Sequence, residues 1–301
     1  MIYVDLKGRI GNQLFIYAYA EALRKKRNRN EKIVFLDYPV LNQKWVNSLK
    51  YYNLENVEFI HDNSYPLHVK MKRYLLRKMY SLADAGDYLK IARIENKFKP
   101  LLTFLGVISC ENGYIDVANN NRRNLYVSGY FQCPKFFACI DQELIDKFRL
   151  QSEIEKLCDV DVNKIKESNS VCISIKVEHN VGNSMYDVCS REYWEKAINY
   201  IVNNVENPLF FICSDNVQYV REHFIDTAKY NTICQNSNLP VHVSLAIMGL
   251  CKHFIIGNTS YGWWAQHISL YKNKIVVAPS RWYNVEMPVD IYESNWYLIK
   301  V

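Results

Sequence analysis

The stretch Phe254-Ile-Ile-Gly-Asn-Thr-Ser-Tyr-Gly-Trp-Trp-Ala-Gln-His-Ile-Ser-Leu270 decides the reading of this chain. Phe254–Ile256 is a short apolar run closed by Gly257, the pattern of a buried strand. Asn258, Thr259 and Ser260 then open an apolar segment long enough for a short helix. A strand, a polar turn and a helix start make a ready anion site. Free backbone N–H groups and the helix dipole converge there, and the two hydroxyls add donors. In an open α/β sheet this is where a nucleotide phosphate sits.

Working outward, strands and helices alternate, which argues for a parallel sheet covered on both faces. Towards the N-terminus of the quoted stretch lie a strand at 171–177, a helix from Arg191 capped by Ser190, a strand at 209–213, a short helix from Asn216, a strand at 232–234 and a helix at 242–251. Beyond it comes a strand at 275–278. The first half is less regular. Ile2–Leu6 reads as a strand, 8–13 as a loop, 14–26 as a helix, 33–36 as a strand and 125–130 as a strand. Pro134–Phe148 reads as one helix and 151–167 as another. Residues 40–65 show no clear period. These signals predict an N-terminal domain over 1–150, a bridge over 151–169 and a second domain over 170–284. The tail 285–301 is expected to fold back on the first half.

Composition narrows the classes. A formal net charge of +6 on 301 residues is mild, and no basic run interleaves with aromatics, so nucleic acid is not indicated as a partner. Nine cysteines occur with no C-x-x-C, which suits buried free thiols better than zinc or disulfides. The N-terminus reads as a strand, not a signal peptide, and no apolar run matches a membrane span, so a cytoplasmic protein is expected. Residues 68–80 form a basic amphipathic helix, with Val69, Leu75, Leu76 and Met79 on one face and Lys70, Lys72, Arg73, Arg77 and Lys78 opposite. Two readings stay open: a solvated helix packed on the core, or peripheral contact with the cytoplasmic membrane face.

Ligands in such sheets bind beyond the carboxyl ends of strands. Four such ends carry chemistry: Gly8-Arg9-Ile10-Gly11-Asn12-Gln13, Ser174-Ile175-Lys176-Val177-Glu178-His179, Ser214-Asp215-Asn216 and Asn258-Thr259-Ser260. The first is not G-x-G-x-x-G, so a dinucleotide fingerprint is absent. Gly8 and Gly11 permit close backbone approach, and Arg9 and Asn12 project donors; a plain tight turn fits the spacing equally.

Five segments, read in order, resemble one family: Gly8-Arg-Ile-Gly-Asn-Gln-Leu-Phe-x-Tyr-Ala, Gly129-Tyr-Phe-Gln, Tyr186-Asp-Val-Cys-Ser-x-Glu-Tyr, Phe211-Ile-Cys-Ser-Asp-Asn, and Cys251-Lys-His-Phe-Ile-Ile-Gly-Asn-Thr-Ser-Tyr-Gly-Trp-Trp. The chain resembles the bacterial α-1,2-fucosyltransferases of glycosyltransferase family 11 from residue 1 to about 284. The resemblance implies an α/β fold of GT-B type, with two Rossmann-like halves: 1–150 the acceptor-side domain, and 170–284 the nucleotide-sugar donor domain, a doubly wound parallel sheet. It also implies GDP-fucose as donor, inversion at the anomeric carbon, no metal and no other cofactor. The implied acceptor is a galactoside-terminated glycan or lipid-linked oligosaccharide. The family's His-x-Arg-Arg-x-Asp motif falls on Ser174, Lys176, Val177 and His179, so its arginines and both ends are replaced. Lysine offers a point charge where arginine offers a fork, and one lost charge-assisted hydrogen bond is worth about 1.5–3 kcal/mol. Gly262 stands where the family has a second hydroxyl, and Asn216 replaces one carboxylate.

On this reading the diphosphate is met by Lys176, Thr259, Ser260 and the following helix start, with Ser174, Gly8, Gly11, Asn258 and Gly262 shaping the donor site. Arg9 and Asn12 reach towards donor phosphate and acceptor hydroxyl. Asp215 holds the guanosine or its ribose. His179 is the candidate base, against a structural role for a lone histidine. Asp159-Val-Asp161 mimics a metal-binding D-x-D but lies in the charged bridge. The rival class is a non-catalytic or altered-donor module that binds a nucleotide or glycan without transfer.

Overall fold

The computed structural model describes residues 1–28, 30–117, 120–157 and 160–301, with Val160 described in its backbone only. The chain forms two compact units, Met1–Asp141 with Glu286–Tyr292, and Gln142–Val285 with Glu293–Val301.

The first unit contains, in order, β1 (Ile2–Asp5), α1 (Ile10–Lys26), β2 (Ile33–Leu36), α2 (Tyr38–Asn42), β3 (Val57–Ile60), α3 (Leu67–Tyr80), α4 (Tyr88–Leu105), β4 (Val107–Cys110) and β5 (Leu125–Gly129). Its five strands are all parallel, in the order β3-β2-β1-β5-β4. β1, β2, β4 and β5 are buried throughout, and apolar residues dominate them, with Asp5, Ser109 and Ser128 as buried polar exceptions. The sheet order reverses between β1 and β5, so loops leaving these two strands diverge and open a crevice.

Several expectations for this unit change. Helix α1 starts at Ile10, not Leu14. Gly8 adopts φ +68°, which turns the chain within a few residues of β1 and places Gly11, Asn12 and Gln13 in the first turns of the helix. Residues 134–140 form two single 3-10 turns before α5 (Asp141–Phe148), so Pro134–Phe148 is not one helix. Residues 40–65 hold the end of α2, a 3-10 turn at Ser48–Tyr51 and β3. Helix α4 and strand β4 carried no clear sequence signal; Pro100 lies inside α4 and breaks its pattern. Arg73, placed on the basic face of α3 by periodicity, is 6% exposed.

The second unit continues with α6 (Gln151–Glu155), α7 (Val160–Glu167), β6 (Asn169–Ile175), α8 (Arg191–Asn204), β7 (Pro208–Ser214), α9 (Val217–His223), β8 (Thr232–Cys234), α10 (Val241–Met248), β9 (His253–Ile256), α11 (Ser260–His267), β10 (Val276–Pro279) and β11 (Tyr297–Ile299). The charged segment 151–167 therefore carries two helices. It packs within this unit, α6 on α10 and α7 on β6. The six strands run parallel in the order β11-β10-β9-β6-β7-β8. This is the doubly wound order with its switch point between β6 and β9. The tail does not act as one piece: 286–292 belongs to the first unit, while β11 completes the second sheet.

Ser190 caps α8 by accepting the Tyr193 N–H, and Tyr193, Trp194, Ala197, Ile198 and Ile201 form its buried face. They join Val171, Ile173, Phe210, Ile212, Ile255 and Val277 in one core. Trp263 and Trp264 are fully buried. Among the described residues the cysteines are free, and Cys172, Cys213 and Cys251 are buried. No described helix is long and apolar enough to cross a membrane.

Candidate functional site

At the switch point of the second unit, β6 and β9 are paired through Ser174↔Ile256, and β6 and β7 through Ser174↔Cys213. The carboxyl ends of three adjacent strands thus carry Ser174 and Lys176, Asp215, and the turn from Gly257 to Ser260. The Gly257 N–H donates to the Ser174 carbonyl at 3.0 Å, extending the ladder one step into the turn. Thr259 is the N-cap of α11: its Oγ1 accepts the Gly262 N–H at 3.1 Å. The hydroxyl proton remains able to donate. Gly262 is required by packing. A Cβ there would stand 2.9 Å from Ser174 Oγ and 3.1 Å from Ser174 Cβ. The first turn of α11 therefore lies against β6, with its dipole at the edge where Lys176 emerges.

Lys176 Nζ is paired with Asp215 Oδ2, and Asp215 Oδ1 accepts the Val177 N–H at 2.8 Å. Burial pushes the Asp215 carboxyl up, but the Lys176 ammonium and the Val177 N–H outweigh it and hold it below its ordinary range. Asn258 is 5% exposed, and its side chain serves the fold. Its amide nitrogen donates to the carbonyls of Tyr186 and Trp282, and its oxygen accepts from Asn180 Nδ2 at 3.2 Å. It ties the loop after β6 to the loop after β10. His179 lies exposed in that first loop, with its ring 5.0 Å from the Tyr186 ring. Ser260 is half-buried at the helix start.

In the first unit Gly8 is fixed by geometry: besides its positive φ, a Cβ there would meet Asn12 Nδ2 at 2.4 Å. Arg9 is exposed and lies over the Trp45 ring at 5.9 Å. Asn12 Oδ1 accepts from Gln132 Nε2 at 2.8 Å, which joins the loops leaving β1 and β5 at the switch point. Sequence reasoning passed over Gln13. It is wholly buried, and its amide donates to the carbonyls of Gly8 and Val46 while its oxygen accepts the Ser48 N–H at 2.7 Å. The glycine turn is thereby pinned to the 46–48 loop. Its signal was present: a glutamine among Leu14, Phe15 and Ile16 is a polar group that needs partners inside.

The structure thus places Ser174, Lys176, Asp215, Asn258, Thr259, Ser260 and Gly262 on one sheet edge of the second unit. It places Gly8, Arg9, Gly11 and Asn12 on one turn of the first. Asp159 lies outside the described residues, and Asp161 is exposed and paired with Lys164 at 3.2 Å. Among the described residues no group of three His, Cys, Asp or Glu could hold a metal ion.

A buried acid stands beside the first sheet. Glu95, 2% exposed, accepts from Tyr80 OH at 2.6 Å, Ser109 Oγ at 2.7 Å and the Glu111 N–H at 3.0 Å. Burial still pushes its carboxyl from 4.5 up to about 7. The folded chain then keeps a proton that the unfolded chain releases, so stability falls as pH rises through that window. Melting temperature should drop between pH 5 and pH 8, and Glu95→Gln should flatten the drop. An unchanged pH profile in that variant would show that Glu95 is ionised in the fold.

Two parallel doubly wound sheets, one in each unit, are the architecture of the GT-B fold. The structural neighbours agree. The fucosyltransferase NodZ from Bradyrhizobium superposes with a TM-score of 0.51 at 13% identity, over 88% of this chain and 91% of that one. Arabidopsis thaliana FUT1, in complex with GDP, gives 0.50 at 10% identity over 91% of this chain and 69% of that one. The chain belongs to glycosyl transferase family 11, whose model matches residues 1–300. It is 23% identical to the O-antigen biosynthesis glycosyltransferase WbnK of Escherichia coli, over 98% of this chain and 99% of that protein. It is also 23% identical to an alpha-1,2-colitosyltransferase of Escherichia coli, over 95% and 93% respectively.

Proposed function

We propose that the chain is an inverting, metal-independent glycosyltransferase that moves fucose from GDP-fucose to the 2-hydroxyl of a terminal galactoside, in the synthesis of a surface polysaccharide such as O-antigen. The carrying observation is the edge where Lys176, capped helix α11 and its Thr259–Ser260 turn stand on adjacent strand ends. As the sugar leaves, charge grows on the departing diphosphate. Backbone N–H groups of α11, the two hydroxyls and the Lys176 ammonium stabilise it with donors fixed before reaction. Asp215 positions that ammonium and faces the nucleoside. Arg9 and Asn12 are assigned to donor phosphate and acceptor hydroxyl, and His179 to proton removal from the acceptor.

Both relatives are named for glycosyl transfer, one of them in O-antigen biosynthesis and the other with a colitosyl group, which supports a sugar donor. The test is therefore a thermal-shift screen across GDP-fucose, a GDP-linked colitosyl donor, and UDP-, CMP- and dTDP-sugars. GDP-sugars should raise the melting temperature by several degrees at saturation, and the others should not. Selectivity for another base would overturn the donor assignment. GDP binding without transfer to any galactoside would leave a binding module instead.

The proposal extends to peripheral membrane contact through α3. Leu67, Met71 and Tyr74 are exposed on it beside Lys70, Arg77 and Lys78. Co-sedimentation with vesicles should require anionic lipid and fade with salt. Equal recovery with neutral vesicles would remove this part.

A further inference from the structure

The first unit contains a cavity of about 460 Å3 that no step above uses, and its size is that of a small-molecule site. Every residue lining it belongs to this unit. Its wall includes Asp5 at the end of β1, Tyr126 and Ser128 of β5, Arg73 and Tyr80 of α3, and Tyr88 of α4. Gly8 also lines it, so the cavity lies beside the glycine turn.

Its distinguishing feature is a buried ion pair left incomplete. Asp5 is 4% exposed and Arg73 6%. Asp5 Oδ2 accepts from Tyr126 OH at 2.7 Å and lies 3.5 Å from Arg73 Nε. Arg73 donates from Nη1 to Tyr65 OH at 2.7 Å, and its guanidinium lies 5.0 Å from the centre of the Tyr38 ring. Both side chains are thus held in place. Yet Asp5 Oδ1 and Arg73 Nε have no hydrogen-bond partner among the described residues. An unpaired atom on a buried charge is costly and needs a reason. One lone acceptor and one lone donor sit on the same pair of side chains. Both atoms are sealed in the resting pair, and a small shift of the two side chains towards the cavity lets a sugar hydroxyl, or two adjacent ones, complete both: it donates to Oδ1 and accepts from Nε.

The rest of the wall suits the same ligand. Tyrosine rings offer flat apolar faces for the C–H faces of a pyranose. The deeper charges cancel, because Lys7 is paired with Glu111 as Arg73 is with Asp5, and Arg77 adds its charge from an exposed position. A neutral ring is favoured over a phosphate.

We propose that this cavity is a recognition pocket for a neutral pyranose ring of the acceptor glycan, with Asp5 and Arg73 reading its hydroxyls. The word acceptor rests on the functional reading above; the pocket itself does not. The test uses the full chain with methyl β-D-galactopyranoside, followed by saturation-transfer NMR, and with GDP by calorimetry on the same sample. Saturation should appear in the wild-type chain. Asp5→Asn places an amide where the lone acceptor was and should weaken binding at least about tenfold. Tyr88→Ala leaves the ion pair intact and should also weaken it, which keeps the test valid where Asp5→Asn unfolds. No saturation in the wild-type chain with this glycoside or with its gluco and manno isomers overturns the proposal, as does equal binding in both folded variants. GDP binding beside an empty cavity sinks the pocket alone. Variant-sensitive sugar binding without GDP binding sinks the donor reading alone.

Discussion

Lys176→Ala should lower transfer from GDP-fucose by about two to three orders of magnitude and leave the fold intact. The magnitude is that of removing one fixed donor from a developing anion. The position explains the selectivity of the effect. Lys176 leaves β6 at the switch point, between the strands that carry Asp215 and the α11 turn. Its ammonium is the charged part of a donor set otherwise made of N–H groups and hydroxyls. Its contribution to folding is small by comparison. The side chains of Lys176 and Asp215 are 23% and 20% exposed, and an ion pair this open to solvent is heavily screened. The sign of its pH dependence is also fixed. Asp215 titrates below its ordinary 3.8, so the pair contributes at neutral pH and is lost only as pH falls through the depressed value. The melting temperature at pH 7 should therefore move little. Lys176→Arg should retain transfer, because an arginine fork also binds a diphosphate. A folded Lys176→Ala enzyme with a rate near wild type would remove Lys176 from the mechanism.

What the sequence disclosed follows from how each feature is encoded. The second unit was legible because its strands are short apolar runs and its helices carry local start signals, such as Ser190 before α8 and Thr259 before α11. The edge that groups Ser174, Lys176, Asp215 and Thr259 follows from strand order alone once the alternation is seen. The first unit was harder. The start of α1 depends on Gly8 at φ +68°, and a single glycine does not announce its backbone angle. Helix α4 hides behind Pro100. Arg73 has the spacing of a solvent-facing residue, but it turns inward because Asp5 and Tyr65 wait there. Buried ion pairs are long-range facts. Asp5 and Arg73 are distant in sequence, and nothing local in either segment announces the other. Asn258 shows the converse. Its type and place suggested a ligand contact, whereas its hydrogen bonds go to the carbonyls of Tyr186 and Trp282.

Gly129→Ala should destabilise the first unit by more than about 4 kcal/mol, the largest stability effect expected in the chain. Gly129 ends β5 and pairs with Cys110 at the end of β4. Its φ is +146°, a conformation that side chains with a Cβ avoid. Space is the harder limit. An added Cβ would lie 2.0 Å from the Cys110 carbonyl oxygen and 2.5 Å from its carbon. These are backbone atoms of a buried strand and cannot swing aside. The next residues leave no freedom to absorb the strain. Phe131 already holds a positive φ of 52°, is 1% exposed and stacks on Tyr19 at 3.9 Å. Gln132 then reaches Asn12, so any shift at Gly129 is carried into the turn after β1. Relief requires separating β4 from β5, which costs more than about 4 kcal/mol, against a total stability of roughly 5–15 kcal/mol. Gly86→Ala supplies the control. Gly86 also has a positive φ, +85°, but nothing lies within 4 Å of the new Cβ. Only backbone strain of about 1–2 kcal/mol remains, which lowers the melting temperature by several degrees. Soluble yield and thermal melts of the two variants decide the matter. A Gly129→Ala chain that melts within a few degrees of Gly86→Ala would mean that β4 and β5 do not meet as they do here, and with them would go the register that places Gln132 beside Asn12.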